Sequence, residues 1–156
     1  MRLSAFSDYS LRVLMHLGST PGKLITIGEI ATLHGISENH LMKVVHQLGR
    51  SGYIETVRGK GGGMRLARAA AEIRLGDVIR QTESDFKLVE CFGADAACRL
   101  VPDCRLHGIL DSALASMFLV LDGYTLADLV STPRRENSLG ILKGQATRAS
   151  RISEQE

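Results

Sequence analysis

"TIGEIATLHGISENHLMKVVHQLGRSGYIETVRGKGGGMRLAR", residues 26–68, decides the fold. Its first half reads as two helices across a tight break. Ile27, Ile30 and Ala31 share one helical face, Gly35 can take the left-handed conformation that ends a helix, and Ser37 can cap the next one. In that second helix Leu41, Val44, Val45 and Leu48 form a single apolar stripe, which Gly52 stops. Past Gly52 the period changes from helical to alternating. The segments on either side of "GKGGG" read as two strands of a hairpin with a flexible, basic tip.

Helix, tight turn, helix and basic hairpin follow in the order of a winged helix-turn-helix, whose second helix is narrow enough to enter the DNA major groove. The stripe from Leu41 to Leu48 must face the core. Asn39, Lys43, His46 and Arg50 then lie on the opposite face, with His40 and Gln47 on its flank. Asn and Gln can pair bidentately with adenine, and Lys can reach guanine or a phosphate. Ser37 sits at the helix start, where a phosphate is favoured. The hairpin adds Arg58, Lys60 and Arg65 around three consecutive glycines, which allow close backbone approach to DNA, and an Arg on such a wing is placed to enter the minor groove. Ser37, Asn39, His40, Lys43, Gln47, Arg58 and Lys60 are therefore the expected DNA contacts. The plainer alternative is an amphipathic helix with a solvated face.

Outward from this block, "SDYSLRVLMHLG" reads as a preceding helix, with Ser7 able to cap it and Leu11, Leu14, Met15 and Gly18 at helical spacing. "IRLGDVIRQTES" is another short helix, and "DFKLVE" reads as a short strand or extended segment. A long helix is expected from about Cys104 to Leu121, with Leu106, Leu110, Ala113, Met117 and Val120 among its apolar positions; "TLADLV" adds a further turn or two. That long helix is apolar over more than one face, so a second copy of the chain is expected to cover it. Two-fold symmetry would also set two reading heads on a palindromic operator. The expected fold class is mainly α with a small β wing: a winged helix-turn-helix head over residues 1–74, a cysteine-bearing loop and dimerisation helix over 75–131, and a disordered tail over 132–156, where the composition turns polar and basic.

The totals agree with this reading. The chain has 156 residues, 44% hydrophobic and 23% charged, with only 4% aromatic and no Trp, so its core must rest on aliphatic side chains. No apolar run reaches membrane-spanning length and no signal pattern opens the chain, so a cytoplasmic protein with no membrane partner is expected. Residues 1–74 carry ten Lys/Arg against five Asp/Glu, whereas residues 75–131 carry four against nine. A basic first half with an acidic second half suggests a polyanion partner at the front end. A nucleotide loop, nucleophile elbow and paired catalytic acids are all missing, which argues against an enzyme.

All three cysteines, Cys91, Cys98 and Cys104, fall in one short irregular segment. Their spacing is wider than the close pair of a structural zinc site and suits a larger object such as an iron–sulfur cluster. Such a cluster usually takes four protein ligands, so the fourth must be an oxygen or nitrogen donor, solvent or a small molecule. Asp8 and His107 are the two candidates, with Arg12 in the cluster environment; the plainer readings are an i+4 ion pair of Asp8 with Arg12 and an ordinary exposed helix residue at His107. A thiol redox centre or a zinc site is the alternative use of the thiols.

The segments "MRLSAFSDYSLRVLMHLG", "GISENHLMKVVHQLGRSGYIETVRGKGGGMRL", the "CRL" at Cys104 and "LDGYTLADLV" together resemble a winged-helix family of iron–sulfur regulators. That family includes nitric-oxide-responsive repressors of the NsrR type and the cluster-assembly regulator IscR. The resemblance spans residues 1–131 and lies nearer the NsrR type. It implies a homodimeric repressor carrying one cluster per subunit on Cys91, Cys98 and Cys104, with nitric oxide as effector. It also implies that an aspartate in the position of Asp8, from the opposite subunit, completes a 4Fe–4S cluster. Two departures stand out: six residues separate the first two cysteines, a longer gap than usual, and His107 matches the IscR ligand pattern for a 2Fe–2S cluster. The 4Fe–4S form with Asp8 is favoured; an IscR-like regulator of iron–sulfur or iron homeostasis is the alternative.

Overall fold

A computed structural model describes residues 2–93, 98 and 104–131. Six α-helices, α1 (Ala5–Gly18), α2 (Ile27–His34), α3 (Glu38–Arg50), α4 (Leu75–Thr82), α5 (Arg105–Asp122) and α6 (Leu126–Val130), accompany one hairpin, β1 (Ile54–Val57) and β2 (Gly63–Leu66). The fold is mainly α with a small wing, as the sequence pattern predicts.

Ser4, not Ser7, caps α1: its hydroxyl accepts the Ser7 N–H at 3.2 Å. Ser7 is instead buried in the first turn, where its hydroxyl donates to Thr82 Oγ1 at 2.8 Å. The buried face of α1 is Ser7, Ser10, Val13, Leu14 and Leu17, while Met15, expected on the apolar face, points outward. Thr26 caps α2 through a reciprocal box with Glu29, a start signal the pattern reading passed over. Gly35 ends α2 at φ +64°, the left-handed conformation expected of it, and Ser37 caps α3 by accepting the His40 N–H. The predicted stripe of Leu41, Val44, Val45 and Leu48 is buried throughout.

β1 and β2 pair antiparallel, with Ile54 opposite Leu66 and Val57 opposite Gly63. Ile25 adds one further bridge to the outer edge of β2, exchanging both backbone hydrogen bonds with Met64 at 3.0 and 2.8 Å. Gly63 makes this possible, since a Cβ there would lie 2.9–3.1 Å from the Ile25 backbone. The core runs continuously from α1 through Ile30, the α3 stripe, Ile54 and Met64 to Val78 and Leu126. α6 returns to the head, where the Leu126 N–H donates to Ile73 O at 2.8 Å and Val130 sits over Gly18.

No residue of α5 is buried. The helix is held at its C-terminal half by α4: Arg80 grips Asp122 with two hydrogen bonds of 2.7 Å, lies 4.3 Å from the centre of the Phe118 ring, and Phe118 meets Phe86 edge-on at 4.8 Å. The "DFKLVE" segment forms no strand. Its Phe86 is used as a wedge against α5, and the segment leads into a single 3-10 turn, Glu90–Phe92. The tail for which disorder is expected lies outside the described residues, as do 94–97 and 99–103.

Candidate nucleic-acid interface and thiol segment

The break at Gly35 and the packing of the α3 stripe together turn the other side of α3 to solvent. Ser37, Asn39, His40, Lys43, His46 and Arg50 are exposed, and Gln47 is half-buried at the flank. His40 leans toward Tyr9 of α1, with ring centres 6.4 Å apart. At the wing, Gly59 and Gly61 take φ of +97° and +77°, conformations that favour glycine and hold the exposed Lys60 between them; Arg58 is exposed beside it. Arg65, by contrast, is ion-paired with Glu55 across the hairpin, which leaves Arg58 and Lys60 as the tip cations. Two features of this surface escaped the pattern reading. Met42 stands exposed among the polar residues of α3. Arg68 lies over the Tyr53 ring at 4.7 Å and donates to Ser51 O and Gly52 O, closing the turn from α3 into the wing. Both sit where position alone carried the signal: Met42 four residues before His46, Arg68 just past the second strand.

At the other end, Cys91 lies in the 3-10 turn and Cys104 at the N-cap of α5; both are half-buried, Cys98 is exposed, and all three thiols are free. The Phe92 and His107 rings pack at 4.9 Å, joining the turn that holds Cys91 to the first turn of α5. Among the described residues, no three His, Cys, Asp or Glu side chains converge as a metal-ion site. The donor set nevertheless fits an iron–sulfur cluster. Thiolates are the ligands such clusters take. In addition, α5 begins with no side-chain cap and no acidic residue in its first turn, so the positive end of the helix dipole is open to a Cys104 thiolate. Asp8 lies far along the chain, on α1, paired with Arg12 at 2.9 and 3.1 Å; both side chains are roughly half exposed and reachable by a second molecule.

A polar, cationic face on the second helix of a helix-turn-helix, flanked by a basic wing, defines a DNA-binding regulator rather than an enzyme. The chain matches the model of the Rrf2 family, described as iron-dependent transcriptional regulators, over residues 3–132, and it belongs to that family. It is 48% identical to the HTH-type transcriptional regulator NsrR of Bacillus subtilis over 145 residues, covering 92% of this chain and 98% of that one. The regulator of the same name from Halalkalibacterium halodurans is 46% identical over 145 residues, covering 92% and 99%. Among solved structures, the oxidized form of Staphylococcus aureus CymR superimposes with a TM-score of 0.69 at 28% identity, covering 85% of this chain and 98% of that one. T. potens IscR gives 0.69 at 25% identity, covering 92% and 96%. The chain is thus a DNA-binding transcriptional regulator, and no helix among the described residues is long and apolar enough to cross a membrane.

Proposed function

We propose that the chain is a cytoplasmic, homodimeric repressor that senses nitric oxide through an iron–sulfur cluster. Residues 1–74 form the reading head and 75–131 the sensing and pairing part. Cys91, Cys98 and Cys104 are the thiolate ligands, and the partner subunit's Asp8 is the fourth, completing a 4Fe–4S centre. Ser37, Asn39, His40, Lys43 and Gln47 face DNA from α3, and Arg58 and Lys60 from the wing. The observation that carries this reading is the pairing, through Phe92 and His107, of the two half-buried segments that hold Cys91 and Cys104, with the uncapped start of α5 beside them. Similarity to regulators named NsrR over nearly the whole chain supports it.

Cys91, Cys98, Cys104 and the partner's Asp8 would hold the cluster, whose iron would supply the chemistry by which nitric oxide is sensed. The chain's own part is mechanical. Asp8 sits in the first turn of α1, and that turn is tied to the end of α4 by the buried Ser7–Thr82 hydrogen bond and by Ser4 N–H donating to Glu83 Oε1 at 2.7 Å. Holding Asp8 against the opposite subunit therefore holds the whole head. Releasing it frees Asp8 to its Arg12 partner and lets the two heads lose their match to the two half-sites. Emptying a nearly full operator takes about 5.5 kcal/mol of differential affinity, within the range of a metal–ligand contact coupled to folding.

A second reading has one observation in its favour: the His107 ring lies beside the turn that carries Cys91, which makes it a nitrogen donor within the same chain for a 2Fe–2S centre of the IscR kind. Protein purified without air separates the two. Iron and sulfide counts with a resonance spectrum should give a 4Fe–4S centre that Asp8→Ala alters and His107→Ala leaves alone, and nitric oxide should release the DNA. A colourless, iron-free preparation that holds its DNA unchanged would defeat the proposal; a spectrum sensitive only to His107 would transfer it to the second reading.

A further inference from the structure

We infer that Met42 reads a thymine methyl group in each half-site and so sets part of the sequence preference. The inference rests on the reading of α3 as the helix that enters the major groove. Leu41, Val44, Val45 and Leu48 are 0–8% exposed, yet Met42, equally apolar, is 50% exposed and is the large apolar side chain that α3 leaves in water. Its place decides what it can meet. It follows Asn39 by three residues and precedes His46 by four, which puts it in the same exposed row of the helix as those two polar side chains. Its own side chain only edges a shallow hollow toward β1, shared with Val45, His46 and Ile54.

The floor of the major groove offers hydrogen-bonding atoms at every base pair, but only one apolar group, the C5-methyl of thymine. A thioether has no hydrogen to donate and is a weak acceptor, so opposite guanine or cytosine it would desolvate a polar edge without replacing the lost hydrogen bond. Opposite thymine it buries a methyl against a flexible, polarisable surface. Asn39, Lys43 and Arg50 can anchor the helix and read polar edges; Met42 adds a preference that none of them can supply.

The test uses the full chain, purified without air, and a duplex enriched by it from a random pool, in which each thymine is replaced singly by deoxyuridine, the same base without its methyl. One position per half-site should weaken binding by wild type roughly three- to fivefold, the worth of one buried methyl. Met42→Gln, of similar length but polar, should bind the thymine and deoxyuridine duplexes alike, and Met42→Leu should keep the preference. Because Met42 is exposed, these variants keep the fold. If no position distinguishes thymine from deoxyuridine, or if Met42→Gln distinguishes them as wild type does, the inference fails. Lys43→Ala separates that failure from a wrong assignment of α3: it should weaken every duplex, and if it weakens none, α3 is not the reading helix and both statements fall.

Discussion

His34, the last residue of α2 before the Gly35 turn, holds its Nε2 atom buried with no hydrogen-bond partner and packs edge-on to His16 of α1 at 6.1 Å. Burial is the largest reason its pKa falls below the ordinary 6.5; the positive charges of His16 and Arg12 push the same way, and Asp8 opposes them. The unfolded chain therefore takes up this proton more readily than the folded one. The stability that comes from a neutral His34 is present in full above the ordinary histidine range and is lost as pH falls through the lowered folded value. The unfolding midpoint of the chain should drop between about pH 7 and about pH 5, and in His34→Gln this part of the drop should vanish. A fall of equal size in the variant would place the titration on another group. Since His34 lies between α1 and the turn that sets the angle of α3, mild acid should loosen the head at that point.

The wing is where glycine and charge act together. With Arg65 held by Glu55, Lys60 stands at the tip between two left-handed glycines, and the proposed reading gives it a phosphate to meet. Lys60→Ala should weaken binding to all duplexes alike and reduce the slope of log affinity against log salt by about 1 for each subunit bound; a loss confined to one sequence would show that Lys60 reads bases. Gly63→Ala should destabilise the head by about 1–3 kcal/mol in denaturant titration, because its methyl meets the Ile25 backbone, which cannot step aside without giving up its bridge to Met64. The helix-turn-helix and the hairpin were readable in the amino-acid order because their signals are local: Gly35 must turn left-handed, Ser37 lies one residue before the helix, and the α3 stripe has a single period. The start of α1 was not, because Ser7 looks like a cap until its hydroxyl finds Thr82, a partner in another helix. The "DFKLVE" segment reads as a short strand or an extended segment; of these it forms no strand, and Phe86 packs on Phe118 of α5, a partner distant in sequence. The thiols were readable as a set by composition. The Phe92–His107 contact, which joins the turn that holds Cys91 to the first turn of α5, is in no spacing rule.

The division of charge along the chain and the bareness of α5 describe one arrangement. In the proposed complex the basic residues 1–74 carry the DNA-facing surface and the acidic residues 75–131 would repel the duplex, so an orientation with the acidic part turned away is favoured. α5 then lies outside the DNA face with Leu106, Ile109 and Val120 each about 60% exposed. Together with Ala113 and Ser116 these residues recur at alternating intervals of three and four, the spacing of a helix seam that packs against its own copy. Burying each such Leu, Ile or Val is worth roughly 1.5–3 kcal/mol, and a two-fold axis counts every one of them twice. In the proposed homodimer Ile109→Glu would set a carboxylate from each subunit into that seam, where desolvation and like-charge repulsion add. Inside the isolated subunit Ile109 is already exposed, so its replacement leaves the head's core untouched. Light scattering should then report half the wild-type mass, with an unchanged helical signal and a large loss of affinity for a two-half-site duplex but little for a single half-site. A variant that keeps both its mass and its affinity would show that the subunits meet elsewhere.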